Sequence, residues 1–218
     1  MRLDMVAALG ETTAGFSLPW LRDLMLDSPE GRRVLKDRPR VNSETLDLQR
    51  SRALPDGTFG REYTRWLEVC NINPDSREPV RFLLSNLLRP LMSFWQVHYI
   101  DDPELAYIMQ RYRETHDFYH ALFALRVSAL PELALKSFEF ANLRLPMAAL
   151  ALGASVKMKE AQRSRLWHEC IPWGIRCGGS SRCLLTVYWE ERWDQDVQWI
   201  KKELGVWDPP SGLSIHSP

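Results

Sequence analysis

The sequence predicts an all-α fold: one helical domain with an αα-hairpin at its centre. Three observations predict it. Apolar residues recur at 3.6-residue spacing over long stretches, most clearly Leu105, Ile108, Met109 and Tyr112 and onward to Phe123. No stretch alternates apolar and polar residues for more than a few positions, so no strand is expected. Capping residues followed directly by proline recur at segment starts, as in Ser28-Pro29 and Asp102-Pro103.

The elements follow in order. Leu18, Leu21, Leu24 and Met25 share a helical face. Ser28 then caps a second helix with Pro29 in its first position, which "KDRPRV" stops. The next stretch, with Pro55, Asp56, Gly57 and Gly60, reads as turns. "GREYTRWLEV" reads as a short helix and "NINPDSREPVRF" as a polar loop. Residues 83–100, "LLSNLLRPLMSFWQVHYI", are the most apolar run, but Arg89 and Pro90 at the centre argue against a membrane span. Asp102 caps the strongest helix, with Pro103 in its first position and Glu104 in its first turn. Pro131 opens the following helix and Pro146 interrupts the chain again. "VKMKEAQRSRLWHECIPWGIR" and "VYWEERWDQDVQWIKKELGV" read as two more helices joined by "CGGSS" as a turn. Residues 1–208 make the domain, and 209–218 are expected to be an irregular tail.

Composition narrows the function classes. Lys plus Arg and Asp plus Glu are 28 each among 218 residues, so no overall field draws nucleic acid. Cys70, Cys170, Cys177 and Cys183 form no Cys-x-x-Cys pair, match no zinc module and read as reduced thiols. Nine tryptophans are many for this length; they suit a core, and they also suit an apolar pocket or a membrane-facing surface. Residues 1–20 carry Asp4 and Glu11 against the single basic Arg2, unlike an Arg-rich transit peptide.

Chemistry concentrates in "HDFYHALFALRVSALPE", His116 to Glu132. On a helix, positions 116, 117 and 120 fall at about 0°, 100° and 40° around the axis. Two imidazoles at i and i+4 can grip one ion, Asp117 can reach from the flank, and a hairpin at Pro131 returns Glu132 beside them. Scattered polar residues on a helix surface are the alternative. Two nitrogens with two carboxylates suit Zn²⁺, Fe²⁺, Co²⁺ or Mn²⁺ and leave coordination positions open. Calcium is disfavoured, because no EF-hand loop is present. Glu114 and Arg113 are candidates to support such a site or to form a solvated face, and Tyr119 suits the core.

The pattern His116-Asp117-x-x-His120-(eleven residues)-Glu132 resembles the signature of the coenzyme Q (ubiquinone) biosynthesis protein 4 family. "DMVAALGETT", "RPRV", "LDL", "LPDGTFGREY", "ELAYIMQRYRETHDFYH", "KSFE", "LPM", "IPWGIR", "YWEERW" and "KKELGV" resemble further family blocks, in the family's order. The resemblance implies an all-helical protein with a divalent metal, usually zinc, on His116, Asp117, His120 and Glu132. It implies C1 decarboxylation of 4-hydroxy-3-methoxy-5-polyprenylbenzoate, in some descriptions with hydroxylation at that carbon. It further implies a place in a multi-subunit ubiquinone biosynthetic complex, held peripherally on the matrix face of the mitochondrial inner membrane. A homodimer is compatible with it. A scaffold that binds polyprenyl lipid, with a structural metal, is the alternative to an enzyme.

Two departures stand out. Arg144 replaces the glycine usual before "LP", which is expected to alter how the helices approach. Residues 83–100 interrupt a junction that is nearly contiguous in the family, and we read them as an insertion outside the conserved core. Deleting 83–100 and joining Phe82 to Asp101 should leave a folded, metal-binding protein that loses little thermal stability. A large fall in melting temperature, or loss of metal binding, would assign the segment to the core.

Overall fold

The computed structural model describes residues 12–76 and 100–216; the segment read as an insertion lies outside these, save Ile100. The described residues contain helices and turns and no strand, only the isolated bridges Thr58–Asp196 and Leu125–Ser214. Helix α1 spans Ser17–Asp27, α2 Pro29–Asp37, α3 Leu48–Arg52 and α4 Phe59–Cys70. The hairpin pair is α5, Pro103–Leu122, and α6, Ala129–Leu143. Then come α7, Pro146–Ala151; α8, Glu160–Arg165; α9, Ile171–Ser180; and α10, Val197–Leu204.

The caps act as the sequence implies. Ser28 accepts from the Gly31 amide at 3.2 Å, and Asp102 accepts from Glu104 and Leu105 at 2.8 and 3.2 Å. Each satisfies first-turn donors that a helix cannot pair internally. α5 is central and buried on nearly every side. Its apolar positions join Phe59, Tyr63, Trp66, Phe138 and Trp189 in one core, with Phe118 edge-on to Tyr63 at 4.9 Å. Trp66, Trp173 and Trp189 are buried, whereas Trp167, Trp199 and Trp207 stay exposed, so the tryptophans serve both core and surface. All four cysteines are free thiols, and burial raises Cys170, Cys177 and Cys183 to about 11.

Three local readings change. "CGGSS" is not a turn throughout: α9 runs on to Ser180, because Gly174 and Gly178 lie flat against α6. A Cβ on either would collide with Ser137 or Phe138. α8 and α9 are joined by a π-helical turn over Leu166–Cys170, where Pro172 lacks the N–H that a regular helix needs. The helix expected from Val187 begins only at Val197, capped by Asp196. Upstream, the Trp193 and Gln195 carbonyls accept from the Gly60 and Phe59 amides, so that backbone serves the start of α4.

The described tail residues, up to 216, form no helix, and their backbone is paired. Ile215 donates to the Ala124 carbonyl at 2.7 Å, and the Arg126 amide donates to Leu213 at 3.1 Å. It therefore binds the turn between α5 and α6.

Arg144 caps α6 in the left-handed region at φ 55°, which explains why a glycine suits the position. Its guanidinium lies 4.4 Å from the Trp20 ring centroid, and its carbonyl accepts from Ser17 Oγ at 2.6 Å. Arg144→Gly removes the Cβ strain and loses the ring contact, while Arg144→Ala keeps the strain and loses the contact. Chemical denaturation should find the glycine variant more stable than the alanine variant by about 1 kcal/mol. Equal stability, or the reverse order, would show that no strain resides there.

Candidate metal centre

The α5–α6 hairpin is joined by polar pairs rather than by apolar contact alone. His116 and His120 project from α5 one turn apart, their ring centroids 4.8 Å apart and nearly perpendicular. Glu132 enters from the first turn of α6. Its Oε2 lies 2.9 Å from His120 Nε2, and its Oε1 lies 3.4 Å from His116 Nε2. One donor atom from each of the three residues lies within 4.8 Å of the others. The histidines are 4 % and 1 % exposed, whereas the Glu132 side chain is 34 % exposed and forms the opening to solvent.

Each ring is tied from behind. His116 Nδ1 donates to Glu139 Oε1 in a very short contact. His120 Nδ1 faces the Leu125 carbonyl at 3.4 Å, the long end of hydrogen bonding. Trp66 Nε1 donates to the same carbonyl at 2.7 Å, and its indole stacks on His120 at 5.3 Å. With the protons on Nδ1, both Nε2 lone pairs point at a carboxylate. Lone pair against carboxylate oxygen is repulsive, so the arrangement requires a cation between them, either a proton or a metal ion. A divalent ion fits this donor set, and the tied Nδ1 atoms are the usual accompaniment of metal-ligating histidines.

The electrostatics agree. Burial alone would raise the Glu132 carboxyl, but His116 and Lys136 hold it well below the usual range. His116 is raised despite its burial, because Glu139 and Glu132 favour its charged form. His120 is lowered, chiefly by burial.

The structure thus brings together His116, His120 and Glu132. Asp117 is buried but stands outside the group, since i+1 lies about 100° round the helix from His116. It acts electrostatically on Cys70, at the end of α4, and on His120. Glu114 neither supports the site nor forms a solvated face. It accepts from Arg40 Nε at 2.8 Å and the Val41 amide at 3.0 Å, clamping the loop after α2 onto α5. Sequence reasoning missed Glu139 and Lys136, although their positions seven and four residues after Glu132 put all three on one face of α6.

A family model described as coenzyme Q (ubiquinone) biosynthesis protein Coq4 matches residues 1–93 and 93–210. The chain belongs to the Coq4 family. Relatives named "Ubiquinone biosynthesis protein COQ4, mitochondrial" are 60 % identical over 210 residues in Laccaria bicolor and 54 % over 210 in Coprinopsis cinerea, each over 96 % of this chain. One from Paracoccidioides brasiliensis is 45 % identical over 216 residues, 99 % of the chain. The chain spans 65 %, 66 % and 70 % of their respective lengths, just under two thirds of the first two. A crystal structure of a Nostoc punctiforme protein shares the fold, with a TM-score of 0.61 at 19 % identity, over 87 % of this chain and 81 % of that one.

Metal binding at this site should weaken as pH falls. A proton on either Nε2 competes with the ion, and the raised His116 is protonated already above the ordinary histidine value near 6.5. Zinc affinity measured by chelator competition should fall by up to about tenfold per pH unit as pH drops through the raised His116 value, and more steeply once pH passes below the ordinary histidine range and the lowered His120 is protonated too. An affinity flat from pH 8 to 5 would contradict histidine ligation. Glu132→Gln should weaken zinc at least about 100-fold at neutral pH, more than an outer-shell change does.

Proposed function

We propose that this Coq4-family chain takes part in ubiquinone biosynthesis as a metal-dependent carboxy-lyase. Its reaction is removal of the C1 carboxyl group of 4-hydroxy-3-methoxy-5-polyprenylbenzoate, or its oxidative form with C1 hydroxylation. The observation that carries this reading is the convergence of two back-tied imidazoles on Glu132 beside an opening to solvent. The ligand core is His116, His120 and Glu132, with Asp117 the fourth member that the family motif implies. Zn²⁺ suits these donors best, and Fe²⁺, Co²⁺ and Mn²⁺ share the preference.

When bound, the ion supplies Lewis-acid stabilisation for the negative charge that builds in the ring as CO₂ departs. The chain's own residues prepare for it. Glu139 and the Leu125 carbonyl hold the two imidazole edges fixed, and Trp66 covers one ring and excludes water. Glu132, ionised and partly exposed, faces the incoming substrate.

The setting we propose is the matrix face of the mitochondrial inner membrane, within the multi-subunit biosynthetic complex. No helix among the described residues is long and apolar enough to cross a membrane. Leu150, Val156 and Trp167 are large apolar side chains exposed between the start of α7 and α9, and this reading takes them as candidates for peripheral docking. Alkaline carbonate should release the protein from membranes, and retention in the pellet would contradict peripheral attachment.

Asp117→Ala in cells separates the enzyme from a lipid-binding scaffold with a structural metal. The enzyme reading expects normal protein level and complex assembly, with the carboxylated polyprenyl intermediate accumulating. Collapse of the complex with no such intermediate would favour the scaffold.

A further inference from the structure

The fully buried Glu139 gives its two oxygens different work. Oε1 accepts from His116 Nδ1. Oε2 accepts from Lys136 Nζ at 2.7 Å and from Tyr112 Oη at 2.8 Å. Lys136 Nζ also donates to Tyr112 Oη at 3.2 Å. A lone carboxylate in this interior would be costly, and the ammonium one turn earlier on α6 offsets it. The Lys–Glu pair alone would satisfy its own charges without the ring. Stability gives no reason to keep it, since an apolar pair of the same volume packs as well or better in many cores.

From this geometry we propose that Glu139 is a positioning residue for the metal site, fixing His116 as the Nδ1–H tautomer, and that Lys136 and Tyr112 hold Glu139 in place. The inference rests on the metal reading above. His120 has only a neutral carbonyl at 3.4 Å for the same task, so the two ligands are unequal. The charged partner makes His116 the more strongly donating ring, because a charge-assisted hydrogen bond at Nδ1 raises the basicity of Nε2. Glu139 touches neither Glu132 nor the opening, so it acts through His116.

Two measurements test this. Nitrogen NMR of the histidine rings in the metal-free protein at alkaline pH should show His116 protonated on Nδ1. Chelator competition should find zinc bound about 10- to 100-fold more weakly by E139Q, with one ion per chain and unchanged helix content. The double variant K136M/E139Q removes both buried charges together, and it serves the same comparison should E139Q alone fail to fold. Its zinc affinity should likewise fall at least about tenfold below the native value; Lys136 Nζ also lies 3.6 Å from Glu132 Oε1 and 3.3 Å from His116 Nδ1, so the double variant need not match E139Q. The proposal is overturned by an Nε2–H tautomer of His116, or by E139Q or the double variant binding zinc as tightly as the native protein. A native protein that binds no zinc would sink the metal reading, while the tautomer measurement would still decide the role of Glu139.

Discussion

Two imidazole nitrogens face one carboxylate across the α5–α6 hairpin, and most of the surrounding structure exists to keep them there. Their lone pairs and the Glu132 oxygens repel unless a cation intervenes, so the arrangement holds only if each ring is gripped from behind. Glu139 grips His116 and the Leu125 carbonyl grips His120. That carbonyl is itself placed from two sides. Trp66 donates to it from α4, and the tail pairs with Ala124 and Arg126 on either side of it. Segments far apart in sequence thus meet at one peptide group behind the site.

The same constraint shapes the interior of α5. A central helix is usually apolar all round, yet α5 buries Gln110, Arg111, Thr115, His116, Asp117 and His120. Burying polar groups is tolerable where partners exist, and neighbouring segments supply most of them, leaving Gln110 Oε1 and Arg111 Nε without a hydrogen bond. The Arg111 guanidinium pairs with Glu190 and reaches the Val187 carbonyl at 3.3 Å. Thr115 Oγ1 donates to the Arg111 carbonyl at 2.8 Å, beside the Tyr119 hydroxyl. The Arg111–Glu190 pair also helps explain why residues 187–196 do not extend α10. The Glu190 side chain is committed to α5, while the Trp193 and Gln195 carbonyls serve the start of α4.

The hairpin and its caps were legible because they depend on local chemistry: Asp102-Pro103, the i, i+4 histidines, and a proline ahead of Glu132. Burial of charge was not legible. The spacing of Lys136 and Glu139 puts them on the Glu132 face of α6, but nothing local says that this face is buried against His116, twenty-odd residues away. Asp117 entered the motif from the flank, about 100° round the helix, and only the i, i+4 histidines with Glu132 are grouped by the geometry. The tail carries no helical pattern, and its backbone pairing with the turn is a long-range contact with no local signal. Arg144 was readable as a departure from a family glycine, but its backbone was not: the residue takes the left-handed conformation that glycine adopts freely.

The central claim is that one divalent ion is held by imidazole nitrogen and carboxylate oxygen in this hairpin. X-ray absorption at the zinc edge, on protein purified without added chelator and reconstituted with one equivalent of zinc, tests it most directly. The account predicts a shell of nitrogen and oxygen at about 2.0–2.2 Å, with outer scattering from two imidazole rings and no sulfur. A sulfur shell near about 2.3 Å would place the ion on the cysteines instead, and it would contradict the account.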